Sequence, residues 1–377
     1  MHSSLFVVQW VAAPFFRKFL GTKLGRKKLN NLEKYGLIKE NKQKSQNLGR
    51  VIAQHRDLYQ VMTNEGVLEA KVSGKLRYQL ESPIEFPAVG DWVELETKVD
   101  IGVIQKVLPR KSVLVREAAG NSSQGQVIAS NIETIFICMS LNHNFNPRRV
   151  ERFLTMVWDS GATPVVVLTK SDQCDDVEEK LQALEDVCFG IKVIVCSVID
   201  ETGLAELQTL IQPQRTVAFV GSSGVGKSSL INHFLGQDLL ATKQIRGSDD
   251  KGRHTTTSRE MLILPNGGIV IDTPGMRELQ ILTGDVSKTF EDITELAKDC
   301  KFRDCTHQSE PGCAVKKAID EGFLDANRLT SYLKLQREVS YNQLNSRQLE
   351  NQKINQIFGS KKAMKQSRKH MQQIKRR

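Results

Sequence analysis

Apolar residues change their rhythm twice along this 377-residue chain. From Gly49 to about Val115 they alternate with polar ones in short runs broken by turn signals. Examples are Gly66-Val67-Leu68-Glu69-Ala70-Lys71-Val72 and Gly90-Asp91-Trp92-Val93-Glu94-Leu95. A period of two marks half-buried strands, and runs recurring every ten to fifteen residues or so (about five runs) predict a small β-barrel. An OB-type barrel fits, with an open face suited to nucleic acid; an SH3-like barrel would give the same pattern. From Gln126 the apolar runs become continuous and alternate with helical stretches. Ile132 to Ser140, Pro164 to Leu168, Ile191 to Val195, Thr216 to Val220 and Gly268 to Ile271 read as buried strands. Pro147 opens a helix, because proline is pre-set for the first helical turn. This alternation predicts a parallel sheet with ligands at the carboxyl ends of its strands. From Ala314 to about Ser346 the chain reads as helices.

The candidate chemistry sits at those strand ends. After Thr216 to Val220 comes Gly221-Ser222-Ser223-Gly224-Val225-Gly226-Lys227-Ser228-Ser229, and then an apolar helix start. Strand, glycine loop and helix form the setting of a phosphate-binding loop, whose N–H groups turn inward at the positive end of the helix dipole. Lys227 would reach the β- and γ-phosphates and Ser228 would ligate Mg²⁺. Thr169-Lys170-Ser171-Asp172 follows the strand ending at Leu168, and Ser197-Val198 follows Ile191 to Val195. The Asp172 carboxylate could accept from N1–H and N2–H₂ of guanine, a pair that adenine lacks. The Lys170 stem would lie along the base. Thr169 stands where such motifs usually carry Asn. Beyond the loop, Gly252-Arg253-His254-Thr255-Thr256-Thr257 offers a hydroxyl, assigned to Thr256, as a second Mg²⁺ ligand that senses the γ-phosphate. Asp272-Thr273-Pro274-Gly275 places a carboxylate by the Mg²⁺ water shell and the Gly275 N–H near the γ-phosphate. Met276 follows where many GTPases carry a water-orienting Gln, and His254 is the candidate replacement. Lys227, Thr256 and His254 are therefore the candidate catalytic residues. The base-reading motif precedes the phosphate loop, the reverse of the ordinary order. This predicts a circularly permuted P-loop GTPase domain in which Asp272 to Gly275 runs almost directly into the C-terminal region. Phosphate loss there is expected to bear on that region. A P-loop ATPase of unrelated role is the enzyme-class rival.

Charge is segregated. The chain carries a net +10, yet residues 1–32 hold six Lys/Arg and residues 351–377 hold nine, neither segment with an acid. The part between them is therefore net acidic, and the basic ends suit a polyanion such as nucleic acid. Leu5 to Phe16 is apolar apart from Gln9, too short to span a bilayer and without a basic segment before it. Residues 1–47 are read as an extension without an assigned role, with a transit peptide as the alternative. The odd total of seven cysteines argues against a disulfide framework and suits a reducing cytoplasm. Three of them join a histidine in Cys300-x4-Cys305-x-His307-x5-Cys313. Three thiolates and an imidazole make a closed tetrahedral set, which predicts one structural Zn²⁺; an iron–sulfur site is the smaller alternative.

Barrel, T-K-S-D, phosphate loop, G-R-H-T-T-T, D-T-P-G and cysteine cluster, in that order, resemble the bacterial circularly permuted, small-ribosomal-subunit-dependent GTPase family, RsgA. The resemblance runs from about residue 48 to the end. It implies an OB-fold over residues 48–117, a permuted GTPase domain over 118–285 and a zinc-binding domain with a basic helical tail over 286–377. It also implies GTP hydrolysis stimulated by the small (30S) subunit and its rRNA during late maturation. The expectation is a cytoplasmic monomer with no membrane association, using Mg²⁺ with GTP. An RNA-binding assembly factor that uses nucleotide only as a conformational ligand is the alternative. The departures, Thr169 for Asn and Val198 where Ala is usual, touch the base contacts.

Overall fold

The computed structural model describes residues 29–37, 47–55, 57–98, 101–117, 125–240, 259–272 and 286–342. It begins with one helical turn, α1 (Asn31–Lys34), closed by a capping box: Asn30 Oδ1 accepts from the Glu33 N–H and the Glu33 carboxylate from the Asn30 N–H. Then come β1 (Leu48–His55), β2 (Leu58–Met62), β3 (Val67–Val72), α2 (Gly74–Gln79), β4 (Trp92–Lys98) and β5 (Ile101–Val107). They are hydrogen-bonded in the order β1-β2-β3-β5-β4, and β4 returns to β1, which closes the barrel. The β3–β5 pair is parallel and the other pairs in the barrel are antiparallel. The barrel is OB-type. The inward positions of the alternating runs, among them Val51, Val61, Val93 and Ile104, are fully buried.

A separate two-stranded ribbon follows, β6 (Val113–Glu117) with β7 (Gly125–Ser130). The chain then enters the predicted α/β region: β8 (Thr134–Ser140), α3 (Pro147–Ser160), β9 (Thr163–Thr169), α4 (Val177–Gln182), β10 (Val193–Val195), α5 (Leu204–Leu210), β11 (Thr216–Val220), α6 (Lys227–Leu235), β12 (Arg259–Ile263) and β13 (Ile269–Asp272). Asn146 caps α3, accepting from the Arg149 N–H at 3.3 Å, and Gly161 in the left-handed region ends it. Strands β10, β9, β8, β11 and β13 lie side by side, all parallel, with β12 antiparallel outside β13. Their apolar runs are buried on both faces, as parallel strands require. The chain moves outward from β8 to β10 and then returns to place β11 against β8, so the strand order reverses at that pair. A doubly wound sheet opens its ligand crevice at such a point.

Barrel and parallel sheet are not separate layers. Strand β12 pairs with the end of β1, with Ala53 opposite Glu260 and Gln54 opposite Arg259, to give one eleven-stranded sheet. Arg50 is buried at the seam. It donates to the main-chain oxygens of Tyr35, Gly90 and Asn131 and to Thr216 Oγ1, the last at 2.9 Å, and it lies over the Trp92 ring.

The C-terminal helices α7 (Glu291–Ala297), α8 (Ala314–Asp320) and α9 (Ala326–Asn342) share a core around Phe290, Ile293, Val315 and Leu335. Polar contacts dock them on α3. Glu151, fully buried on α3, meets Arg148 at 2.7 Å and Arg328 of α9 at 3.3 Å; Arg328 also grips Asp292 at 2.5 and 3.0 Å. Arg152 and Glu338 add a two-bond pair, and Thr155 bonds Thr289. Burial pushes the Glu151 carboxyl up, against the pull of Arg148 and then Arg328. Arg328→Ala should therefore leave the buried Glu151 with Arg148 alone and Asp292 without its arginine, and cost about 3 kcal/mol, the order seen when one partner of a buried pair is lost. The measure is the denaturation midpoint of the full chain; an unchanged midpoint would show that the helices are held by other contacts.

Candidate nucleotide and metal sites

The phosphate loop is built where β11 ends and α6 begins. Gly221 has φ 142°, and a Cβ there would lie 2.3 Å from the Cys138 oxygen of neighbouring β8, so only glycine lets the loop leave the sheet this way. Helix α6 starts at Lys227 with no side-chain cap, which leaves its first N–H groups directed into the loop. Lys227 Nζ donates to the main-chain oxygens of Gly221 and Ser222, each at 2.8 Å, and so lies across the loop. Burial lowers its pKa, against the opposing charges of Cys138 and Asp272. Asp272 ends β13, the strand paired with β11, and its charge reaches the loop lysine.

The base-reading segment meets this loop from β9. The Thr169 hydroxyl donates to the Val225 oxygen at 2.5 Å, and Thr169 is buried beside Gly226. This threonine ties strand to loop and does not face the cleft with its hydroxyl. Lys170 follows at φ 62°, a left-handed conformation that costs roughly 1 kcal/mol or more in a non-glycine residue and recurs at functional sites. Asp172 is exposed, and Ser197 from the end of β10 donates to its Oδ1 at 2.6 Å. The buried Ser197 thus aims the carboxylate. Together these elements frame an open cleft of about 580 Å³, lined by Thr169, Lys170, Asp172, Val198, Gly226 and Ser229. Of the predicted nucleotide residues, Ser171, Ser197, Gly221 to Val225, Lys227, Ser228 and Asp272 are not among the lining residues, and the Ser171 hydroxyl is buried without a partner among the described residues.

Other lining residues carry no motif. Asn232, His233 and Gly236 line the cleft at spacings of three, four and seven from the loop residue Ser229, the face of a helix. That periodicity was available in the sequence. Ile199, mostly exposed at the rim, was not signalled by any pattern. His254, Thr256 and Gly275 lie outside the described residues, as do residues 343–377 and 1–28.

Cys300, Cys305, His307 and Cys313 converge between α7 and α8, their ligand atoms all within 4.8 Å of one another. Cys300 Sγ lies 3.6 Å from His307 Nδ1 and 3.9 Å from Cys313 Sγ, and His307 Nδ1 lies 3.4 Å from Cys313 Sγ. A tetrahedron with metal–sulfur bonds near 2.3 Å and metal–nitrogen bonds near 2.0 Å has edges of about 3.5 to 3.8 Å. The four side chains fit a closed tetrahedral metal site, with Nδ1 as the imidazole donor. Among the described residues no helix is long and apolar enough to cross a membrane.

The family model described as RsgA GTPase matches residues 107–282. A small ribosomal subunit biogenesis GTPase RsgA 2 from Lactiplantibacillus plantarum is 59% identical over 341 residues, 89% of this chain and 97% of that one. An RsgA 1 protein from Oceanobacillus iheyensis is 44% identical, covering 78% of this chain and 85% of its own length. Among solved structures, YjeQ from Thermotoga maritima superposes with a TM-score of 0.59 at 27% identity, over 78% of this chain and 98% of that chain. YloQ, described as a circularly permuted GTPase, gives 0.57 at 26% identity, over 79% and 96%. With the permuted strand order, the OB-type barrel and the Cys₃His cluster already in place, these matches settle the assignment: the chain belongs to the RsgA family of circularly permuted GTPases and is a GTP-hydrolysing enzyme.

Proposed function

We propose that this protein binds the small ribosomal subunit in the cytoplasm and hydrolyses GTP there during late subunit maturation, at a rate stimulated by rRNA. The observation that carries the nucleotide part is the meeting of β9, β10 and β11 ends on one cleft, joined by the Thr169–Val225 and Ser197–Asp172 bonds. Asp172 reads guanine N1 and N2, with Lys170 and Val198 flanking the base. The N–H groups of Gly221 to Ser229 cradle the phosphates, Lys227 moves from its carbonyl partners onto the β- and γ-phosphates, and Ser228 ligates Mg²⁺. Asp272 serves the Mg²⁺ water shell. By sequence, Thr256 supplies the second Mg²⁺ hydroxyl, Gly275 the γ-phosphate N–H, and His254 orients the attacking water in place of the Gln absent at Met276. The Cys₃His set holds Zn²⁺ as a closed structural site. Support for the ribosomal part comes from the names of the relatives, the OB-type barrel and the basic termini.

Purified bacterial small subunits should raise GTP turnover of the full chain well above its basal rate. Unchanged turnover would sink the ribosomal assignment and leave the nucleotide assignment standing. Asp172→Asn should weaken GTP and favour xanthosine triphosphate, because the amide can donate to the xanthine oxygen where the carboxylate accepted; equal loss for both nucleotides would place the base elsewhere. Thr169→Val should weaken GTP and GDP alike by about fivefold, one hydrogen bond of about 1 kcal/mol, without altering base preference. A change in base preference would mean that Thr169 touches the base directly. Nucleotide binding by calorimetry reads both variants.

A further inference from the structure

Two arginines outside the nucleotide cleft converge on one strand. Arg116 of β6 donates from Nε and Nη2 to Gln126 Oε1, at 3.3 and 3.1 Å. Arg259, the first residue of β12, donates from Nη1 to the oxygen of Val127, the next residue of β7, at 2.9 Å. Both side chains are half-buried, and among the described residues neither forms an ion pair. Burial lowers the Arg259 pKa to about 10, and the Arg116 charge pushes the same way.

Several other arginines are matched by carboxylates. Arg110 is matched by Asp91, Arg152 by Glu338, and Arg328 by Glu151 and Asp292. Arg50 has no ion pair among the described residues, but four of its five N–H donors meet neutral acceptors. Arg116 and Arg259 instead repel one another, and among the described residues each keeps N–H donors without an acceptor: Nη1 on the first, Nε and Nη2 on the second. Two guanidiniums with spare forked donors, partly withdrawn from water, match the oxygens of a phosphate. Their place also has meaning. Arg259 pairs with Gln54 of the barrel strand β1, and its neighbour Glu260 pairs with Asp272. Ribbon, barrel and the strand beside β13 meet there.

The geometry points to a phosphodiester site in which Arg116 and Arg259 clamp a backbone phosphate of the RNA. This rests on the RNA-dependent reading proposed above and names the contact by which RNA is tied, through β12, to the Asp272 strand. The clamp neutralises a charge repulsion that the free protein carries.

The test uses the full chain with Arg116→Gln, Arg259→Gln and both, binding to purified bacterial small subunits over a salt series. Basal turnover and GTP affinity should be unchanged. The slope of log affinity against log salt should fall by about 1 for each arginine removed, and affinity near physiological salt by roughly tenfold in the double variant. Stimulated turnover should fall with it, and Arg259→Lys should keep most of the slope. Arg116→Gln should leave the thermal midpoint of the free protein equal or higher, since it removes a repulsion; a clear drop would make the pair structural and overturn the proposal. If the wild type gains activity from subunits and the double variant gains as much with the same slope, the clamp alone is wrong. If the wild type gains nothing, the RNA-dependent reading falls and the clamp with it. Inorganic phosphate alone is the remaining probe. If it raises the wild-type midpoint while the double variant binds subunits normally, the site takes free anions and the RNA assignment is overturned.

Discussion

Burying a guanidinium in the middle of a protein is unfavourable unless its donors find acceptors, and the join between barrel and sheet is arranged around doing so at Arg50. Arg50 leaves β1 and finds oxygens from α1, from the barrel at Gly90, from the turn before β8 at Asn131 and from the start of β11 at Thr216. Desolvation pulls its pKa to about 10, and the Glu133 and Asp91 charges pull back. Each acceptor lies on a different part of the chain, so the barrel cannot rotate against the parallel sheet without leaving a buried charge unsatisfied. The same strand carries on to pair with β12. The barrel and the parallel sheet are thereby one continuous hydrogen-bonded surface.

Permutation gives that surface its wiring. The covalent exit from β13 leads to the C-terminal helices, while their packing anchors them to α3 through Glu151 and Arg328. Helix α3 runs directly into β9, whose end carries Thr169 to Asp172. The helices that carry the Cys₃His cluster are therefore connected to both halves of the nucleotide cleft, one by chain and one by contact. In the unpermuted order the chain after Asp272 to Gly275 would lead into the base-reading half and no such bridge would be needed. Glu151 accounts for its rarity as a fully buried acid by this role: it is the acceptor that two arginines from different elements share.

Much of the site was legible because its chemistry is local. A glycine at φ 142° beside a neighbouring carbonyl, a helix beginning at Lys227 and a carboxylate one turn after a buried strand each follow from a few adjacent residues. The Cys₃His set is similarly compact, fourteen residues from first ligand to last. The strand and helix runs between Ile132 and Ile271 were also legible, since burial on both faces leaves an unbroken apolar signature; Ile191 to Val195 shortened to Val193–Val195, the residues that stand in register with β9.

What the sequence could not carry is everything that depends on two distant segments arriving together. The substitution of Thr169 for Asn looked like a weakened base contact; in the folded chain its hydroxyl reaches Val225, fifty-six residues on, and the residue acts as a brace. Arg50, Asp91, Glu151 and Arg328 have ordinary neighbours in sequence, and nothing in those neighbours predicts that they will be buried together with partners up to 177 residues away. The pairing of β1 with β12, which turns two domains into one sheet, rests on main-chain groups that every residue possesses. The amino-acid sequence by itself determined which chemistry this protein carries, because motifs are short-range stereochemistry. Only the tertiary structure decided which parts are coupled, because a hydrogen bond or ion pair between remote residues leaves no local trace in either of them.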